Sequence, residues 1–344
     1  MFLLFAGVLF IIISCKTNDR KRDAPSVEHI DVNLTLIRYD QLLSKIDTNN
    51  VAEEYKVLSG RYEDFTNLYF KQLTGMYRED QDSFELNINY FLTDSRIRKL
   101  MELINDEFHD FHLEEASLKR GCQYLNYYFP AYSTPKFYTM FSEYGYQTII
   151  FSDKESDAIG IGLDFYLGSG FDYKSIDPSN PAFSDYLTRS YNRDHIVKNA
   201  FDILVEDLVG ATPGNRFIDL MIHNGKKLFL LEKLLPHVSD TIILGYSSEQ
   251  LDWVRRNELQ VWNFFMEKDI MYQSKQSEIL KYLNPSPQSP GMPVEAPGMT
   301  GNYLGLQIVK SFIVKNPEMS LQELIEFKDA QKLMELSKYK PRRR

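Results

Sequence analysis

The chain has 344 residues, of which 43% are hydrophobic and 25% are charged, so it can bury a sizeable core and is not disordered as a whole. Its formal net charge is −9, which argues against a nucleic-acid-binding protein because such proteins usually carry a basic face. Aromatic residues make up 14% of the chain, and we expect most of them to lie in the core.

The chain begins with 14 uncharged, mostly apolar residues followed by Cys15. This run is too short for a membrane span, which takes about 20 apolar residues, but it is typical of a signal peptide. Ile12-Ile13-Ser14-Cys15 has the form of a bacterial lipobox, whose Cys receives the lipid. We predict a signal peptide over 1–14, a lipidated Cys15 with a flexible tether over 15–28, and one globular domain over 29–344. The alternative is a structural Cys that follows a buried strand.

The first half of the mature chain is predicted to be mostly helical after one strand. DVNLTLIRY (31–39) alternates apolar and polar residues and predicts a strand. Residues 40–118 have a helical pattern, in which Asp94 is placed to cap a helix that carries Ile97, Leu100, Met101 and Ile104 at helical spacing. Two prolines in YFPAYSTP (128–135) end this helical region.

The second half predicts a hairpin followed by more helices. Residues 136–151 and 158–168 are rich in β-branched and aromatic residues, and SDKESD lies between them, which favours a β-hairpin. Helical patterns then cover 193–209, 215–235 and 247–272. A proline-rich loop over 284–301 precedes a predicted last helix over 302–316, in which Gly305 indicates close helix packing. The predicted fold class is therefore α+β and mainly helical, with a small antiparallel β-hairpin or sheet.

The sequence has few patterns that indicate a catalytic or metal site. His109 and His112 could face one way on a helix, but a solvated surface pair is the favoured interpretation. Asp164, Asp172 and Asp177 could bind a cation, but turn-forming residues are the default. None of the six His residues is followed by Glu, so the H-E-x-x-H zinc motif is absent. Cys122 is expected to be a buried, unreactive thiol.

Seven segments of the sequence together carry a resemblance to a known family: the lipobox at Cys15, YFPAYSTPKFYT (128–139), YGYQTIIFSDKESDAIGIGLDFYLG (144–168), FIDLMIHNGKKLFLLEKLLP (217–236), SSEQLDWVRRNELQVWNFF (247–265), PGMTGNYLGLQIVKSF (297–312) and DAQKLMELSKYKP (329–341). With these segments the chain resembles the family of the gliding-motility lipoprotein GldB of the Bacteroidetes. The resemblance covers nearly all of the mature chain and implies a part in gliding motility, whose machinery is intertwined with a protein-secretion system.

A more remote likeness links the chain to predicted zinc peptidases, which carry H-E-x-x-H on one helix and a Glu-Gly pair at the start of a second. The matching positions here are His195, Asn199 and Asn224, with Ile196 in the place of the general-base Glu. Ile cannot accept a proton from a metal-bound water, and zinc prefers imidazole, thiolate or carboxylate ligands. The likeness therefore implies a degenerate metallopeptidase-like scaffold with no catalytic and no metal-binding residues.

These expectations combine into one functional hypothesis. We expect a membrane-anchored lipoprotein that faces the periplasm and binds or scaffolds other gliding or secretion proteins, with no cofactor beyond the covalent lipid on Cys15. Lys16 follows the Cys and no acidic run follows, which in this bacterial group favours the inner leaflet of the outer membrane over the cell surface. The expected partners are the membrane, through the lipid, and the machinery proteins, with no nucleic acid.

Two alternatives from other functional classes stay open. The first is a zinc-dependent hydrolase or peptidase with an atypical ligand set, in which His195 would be joined by carboxylates distant in sequence. The second is a glycan- or peptide-binding lipoprotein that presents exposed Tyr and Trp side chains on a concave face.

Overall fold

The computed structural model describes residues 24–76 and 79–341, and this part of the chain is mainly helical with one small sheet. The strands are β1 (Leu36–Arg38), β2 (Lys136–Met140), β3 (Thr148–Asp153) and β4 (Ser156–Gly162). The α-helices are α1 (Tyr39–Ser44), α2 (Val51–Arg61), α3 (Glu63–Leu68), α4 (Gln81–Thr93), α5 (Ser95–Glu107), α6 (His112–Tyr128), α7 (Asp185–Thr188), α8 (Ile196–Val209), α9 (Phe217–Leu234), α10 (Asp240–Leu244), α11 (Ser248–Arg256), α12 (Glu258–Glu267), α13 (Gln276–Ile279), α14 (Thr300–Lys315), α15 (Leu321–Glu326) and α16 (Ala330–Ser337).

The sheet has the strand order β1-β2-β4-β3 and is mixed. The predicted hairpin is confirmed, because β3 and β4 pair antiparallel with Ile150 opposite Ile159. The prediction of an antiparallel sheet is wrong for the other two pairs, since β1 runs parallel to β2 and β2 parallel to β4. Strands joined by a tight turn pair antiparallel, whereas a long connection such as α1 to α6 can return the chain in the same direction.

Helices cover both faces of the sheet. Since neighbouring side chains of a strand point to opposite faces, adjacent residues of β2 contact different helices. Phe65 of α3 stacks on Tyr138, with ring centroids 4.3 Å apart. The adjacent Phe137 faces the other way and lies near Phe201 of α8, at 6.5 Å. All four rings are buried. The sheet is thus the middle layer, and α8, which follows the predicted site residue His195 and carries Asn199, lies directly on it.

Helices α9 and α14 pack with their backbones in close contact. A Cβ added to Gly305 would lie 1.9 Å from the carbonyl oxygen of Met221, and one added to Gly225 would lie 2.3 Å from the carbonyl carbon of Gly305. The predicted close packing at Gly305 is therefore confirmed. The apolar stripes of both helices are buried around this contact, as Leu231, Leu234, Ile308 and Phe312 show.

Three predicted boundaries need correction. The strand over 31–39 shortens to the three residues of β1, and the helix over 247–272 divides at Asn257, whose amide donates to the Trp253 carbonyl at 2.8 Å. The helix over 302–316 is not the last one. Ser320 and Glu323 cap α15 reciprocally, and α16 then buries Leu333. These two helices are short, and periodicity is weak over so few residues.

The described chain starts inside the stretch predicted as a tether, and Val27 in that stretch is fully buried. Cys15 and the predicted signal peptide lie outside the described residues. Among the helices of the described ranges, none combines the length and the apolar character that crossing a membrane would take.

Candidate functional site

The three positions matched to the peptidase motif come together in one cavity of about 810 Å³. His195 ends a short 3-10 turn and is the N-cap of α8, and Asn199 follows one helical turn later. Asn224 reaches the same cavity from α9. Residues almost 30 positions apart thus share one wall, because α8 and α9 pack against each other.

His195 is a neutral imidazole at pH 7. Its Nδ1 lies 3.0 Å from Oδ1 of Asn192, so Nδ1 carries the proton and Nε2 keeps its lone pair. Burial lowers the pKa of His195 to about 4, and the nearby charges of Lys198 and Arg189 act in the same direction, opposed by Asp194. The side chain can therefore accept or donate a hydrogen bond at pH 7, but it carries no charge there.

A partly buried ion pair holds the segment that carries His195. Arg193 donates Nε and Nη2 to the two carboxylate oxygens of Glu114, at 2.8 and 2.9 Å. Its Nη1 also donates to the carbonyl of Glu107, at 2.8 Å. This bidentate contact ties the start of α8 to α5 and α6, so it fixes the position of His195 relative to the rest of the fold.

The two asparagines at the matched positions are held by hydrogen bonds to other protein groups. Asn199 donates Nδ2 to the Tyr166 hydroxyl at 3.1 Å, and Asn224 donates Nδ2 to Oδ1 of Asn302 at 2.9 Å. Asn302 in turn donates to the carbonyl of Leu283 at 2.8 Å. Each carboxamide keeps further donor and acceptor capacity for a ligand.

The residues at the matched positions do not fit a zinc ion. One neutral imidazole and two carboxamides are a poor donor set, since zinc prefers imidazole, thiolate or carboxylate. Ile196, at the position of the general base, is fully buried and has no group that accepts a proton. Over 24–76 and 79–341, no three or more His, Cys, Asp or Glu side chains gather closely enough to hold a metal ion.

Three cations that no motif indicated line the same cavity: Arg189, Lys198 and Lys227. Lys198 pairs with Asp202 at 2.8 Å, and Lys227 pairs with Glu206 at 3.3 Å. Arg189 has neutral neighbours, since it donates to the Gly245 carbonyl and to Gln250 and lies 4.0 Å above the Tyr186 ring. A single arginine in a loop has no sequence pattern that would have revealed it.

Asp164 holds the loop that leads to Gln147 at the cavity wall. Its carboxylate is fully buried and accepts hydrogen bonds from the backbone N–H groups of Ser142 and Tyr144, at 3.0 and 2.6 Å. Burial raises the pKa of Asp164 to about 6, although these donors oppose the shift. Glu143 and Tyr144 both adopt left-handed backbone conformations, with φ of 51° and 61°. The carboxylate therefore stabilises a loop of uncommon geometry.

The other residues considered from the sequence lie away from the cavity. His109 and His112 are exposed, as predicted for a surface pair. Cys122 is fully buried, as predicted, and burial raises the pKa of its thiol to about 12, which disfavours the reactive thiolate at neutral pH. Asp172 and Asp177 stabilise exposed turns by accepting from Ser175 and Ser179. The prediction that Asp164 is an ordinary turn residue is wrong, because its carboxylate is fully buried.

A family model described as gliding motility protein GldB matches residues 20–341. No curated protein and no solved structure matches the chain. The metallopeptidase-like character of the scaffold therefore stays a prediction.

Proposed function

We propose, since the chain belongs to the family of the gliding motility protein GldB, that it is a lipid-anchored component of gliding motility with a non-catalytic binding role. The family membership itself makes the chain a gliding-motility lipoprotein that associates with a membrane. The proposal adds three points, which are the anchor at Cys15, the binding role, and the link to motility or secretion proteins of the envelope.

One observation carries the binding role. His195, Asn199 and Asn224 line one cavity, as the peptidase likeness implies, but their side chains do not fit a catalytic metal. The cavity itself is large and keeps polar groups that can form hydrogen bonds with a ligand. A volume of about 810 Å³ lies within the range of roughly 300–1,000 Å³ that ligand sites occupy. A cavity of ligand size whose matched residues do not fit a catalytic metal supports a binding role.

The proposed location follows from the sequence around the anchor. Lipidation of Cys15 would hold the chain on a membrane, because two or more acyl chains anchor a protein stably. We place the folded part on the periplasmic side, at the inner leaflet of the outer membrane, since Lys16 follows the anchor and no acidic run does. There it would contact other proteins of the motility and secretion machinery.

The test measures metal content and gliding together. The full-length chain is purified without chelator and analysed by mass spectrometry, and a gliding strain that lacks its own copy is complemented with the chain or with His195→Asn. Asn can replace the hydrogen bonds of the imidazole but not a metal ligand or a proton acceptor. We expect well below one zinc per chain, and gliding with either form.

The hydrolase alternative predicts the opposite pair of results. About one zinc per chain, lost together with gliding in His195→Asn, would contradict the binding role and make His195 a metal ligand. A strain that glides normally without any copy of the chain would contradict the motility role itself.

A further inference from the structure

The cavity around His195 carries a charge opposite to that of the whole chain. Its lining includes three cationic side chains, Arg189, Lys198 and Lys227, but one carboxylate, Asp202. The chain as a whole has a formal net charge of −9. A local excess of cations in a concave, partly desolvated site attracts anions more strongly than the same charges on an open surface.

Arg189 is the cation whose charge is left uncompensated. Its guanidinium donates Nη1 to Oε1 of Gln250 at 2.9 Å and Nη2 to the carbonyl of Gly245 at 2.7 Å, both neutral acceptors. In the described part of the chain, no carboxylate lies within ion-pair distance of Arg189. A half-buried cation without a counter-charge is held at a cost that a bound anion would offset.

Three helices begin at the wall of the cavity. The N-caps of α8, α11 and α14 are His195, Ser247 and Met299, and all three line it. The start of a helix carries a partial positive charge and N–H groups that point outward, so it favours an anion. No side chain caps α8 or α14, and Met299 holds a left-handed conformation at φ 57°. The helix ends reinforce the charge of the cationic side chains.

The neutral side chains of the cavity lining indicate which polar and apolar groups a bound molecule would need besides its negative charge. The Nε2 atom of Gln147 is buried and has no hydrogen-bond partner among the described residues, although the side chain lies at the cavity. A buried donor without a partner costs free energy, so a ligand acceptor would stabilise it. Much of the remaining wall is apolar: Leu187, Leu228, Ile242, Ile243, Leu244 and Pro285. An inorganic ion would leave these side chains without contacts.

We propose that this cavity binds an organic anion, a carboxylate or phosphate attached to an apolar body, with the anionic oxygens at Arg189. The inference deepens the binding role proposed above and rests on it. The apolar body lies against the leucine and isoleucine side chains, and Gln147 and the asparagines donate hydrogen bonds to its polar atoms.

The test uses three probes that share one apolar body: 4-phenylbutyrate, 4-phenylbutyl phosphate and the neutral 4-phenylbutan-1-ol. Each is titrated by calorimetry into the full-length chain in an uncharged detergent. We expect at least one anion to bind about tenfold or more tightly than the alcohol, since a charge-assisted hydrogen bond has roughly that effect on affinity. The tighter anion identifies the headgroup, and its affinity falls as sodium chloride is added.

Arg189→Gln removes the charge and keeps a hydrogen-bonding group, so it should weaken the anion about tenfold and leave the alcohol unchanged. Arg96→Gln is the matched control, because the Arg96 side chain is 85% exposed and lies outside the cavity lining. Lys227→Gln is the second variant if Arg189→Gln does not fold, since the partner of Lys227 is an exposed carboxylate.

Three results would overturn the inference: an alcohol that binds as tightly as both anions, no binding of either anion, or anion affinities unchanged in the folded cavity variants. A chain that restores gliding but binds neither anion overturns this inference and leaves the proposed function standing. A chain that gliding does not require overturns the proposed function, whatever the calorimetry shows.

Discussion

Gly225 of α9 and Gly305 of α14 meet backbone to backbone, so that a Cβ on Gly225 would lie 2.3 Å from the carbonyl carbon of Gly305. Asn224 precedes the first glycine, and Asn302 lies one turn before the second. Their hydrogen bond of 2.9 Å forms part of the cavity wall. The close approach of the two helices therefore sets the width of the cavity at this point.

Gly305→Ala should destabilise the fold, because the new Cβ would lie 1.9 Å from the carbonyl oxygen of Met221 and the helices must move apart. We expect a loss of about 3 kcal/mol in the free energy of unfolding, measured in urea. Gly60→Ala in α2 is the control, since nothing lies within 4 Å of its added Cβ. It should gain up to about 1 kcal/mol from helix propensity. Equal effects of the two substitutions would contradict the close contact.

Glu114→Gln should destabilise the fold by removing the counter-charge of Arg193. The Glu114 side chain is 8% exposed, and its two oxygens accept both arms of the guanidinium. We expect a loss of about 2 kcal/mol by denaturant unfolding, because Arg193, whose side chain is only 32% exposed, loses its charge partner. Glu278→Gln, in an exposed pair with Lys281, should have no measurable effect. If Glu114→Gln were also silent, this pair would not hold the start of α8.

Asp164 should make stability fall as the pH rises from about 4 to 6. Its pKa is raised to about 6 in the folded state from 3.8, so the folded protein holds a proton that the unfolded chain has already released. Over this window the fold loses about 3 kcal/mol relative to its value at low pH. Asp164→Asn removes this dependence, so the variant should gain stability relative to the native chain between pH 4 and pH 7.

The comparison uses urea unfolding of both proteins at the two pH values, which cancels the titration of all other groups. A difference between variant and native chain that stays constant from pH 4 to pH 7 would show that the pKa of Asp164 is not raised.

His195 should stay neutral well below the usual range of an imidazole, because its pKa is lowered to about 4. The sign is opposite to that of Asp164. The unfolded chain takes up a proton near pH 6.5, so stability from this group is present above that pH and is lost as the pH falls toward 4. NMR of the imidazole carbons should show the neutral form at pH 5.5, with His195→Gln used to assign the signal. Protonation near pH 6.5 would contradict the burial of the ring.

Cys15→Ala should release the chain from the membrane fraction and abolish incorporation of labelled palmitate, because the lipid needs this thiol. Cys122→Ala is the control, since Cys122 is buried and its thiol is unreactive. It should keep the label and the membrane location. Label that persists in Cys15→Ala would disprove the lipobox and leave the anchor of this lipoprotein to another part of the chain.

The features that neighbouring residues determine were predicted correctly from the sequence. Asp94 caps α5 as predicted, accepting from the backbone N–H groups of Arg96 and Ile97, and the β3–β4 hairpin forms because its strands are adjacent. The convergence of His195, Asn199 and Asn224 was expected only from a resemblance, since spacing along one helix cannot place a residue of a second.

The mainly helical character and the hairpin were predictable from the amino-acid sequence, because periodicity, caps and turns act over a few neighbouring residues. The parallel pairing of β1 with β2, the burial of Asp164 and the place of Arg189 at the cavity became visible only in the folded chain. Each of these depends on which distant segments meet. Burial and charge compensation arise only when those segments pack together, so no short stretch of sequence predicts them.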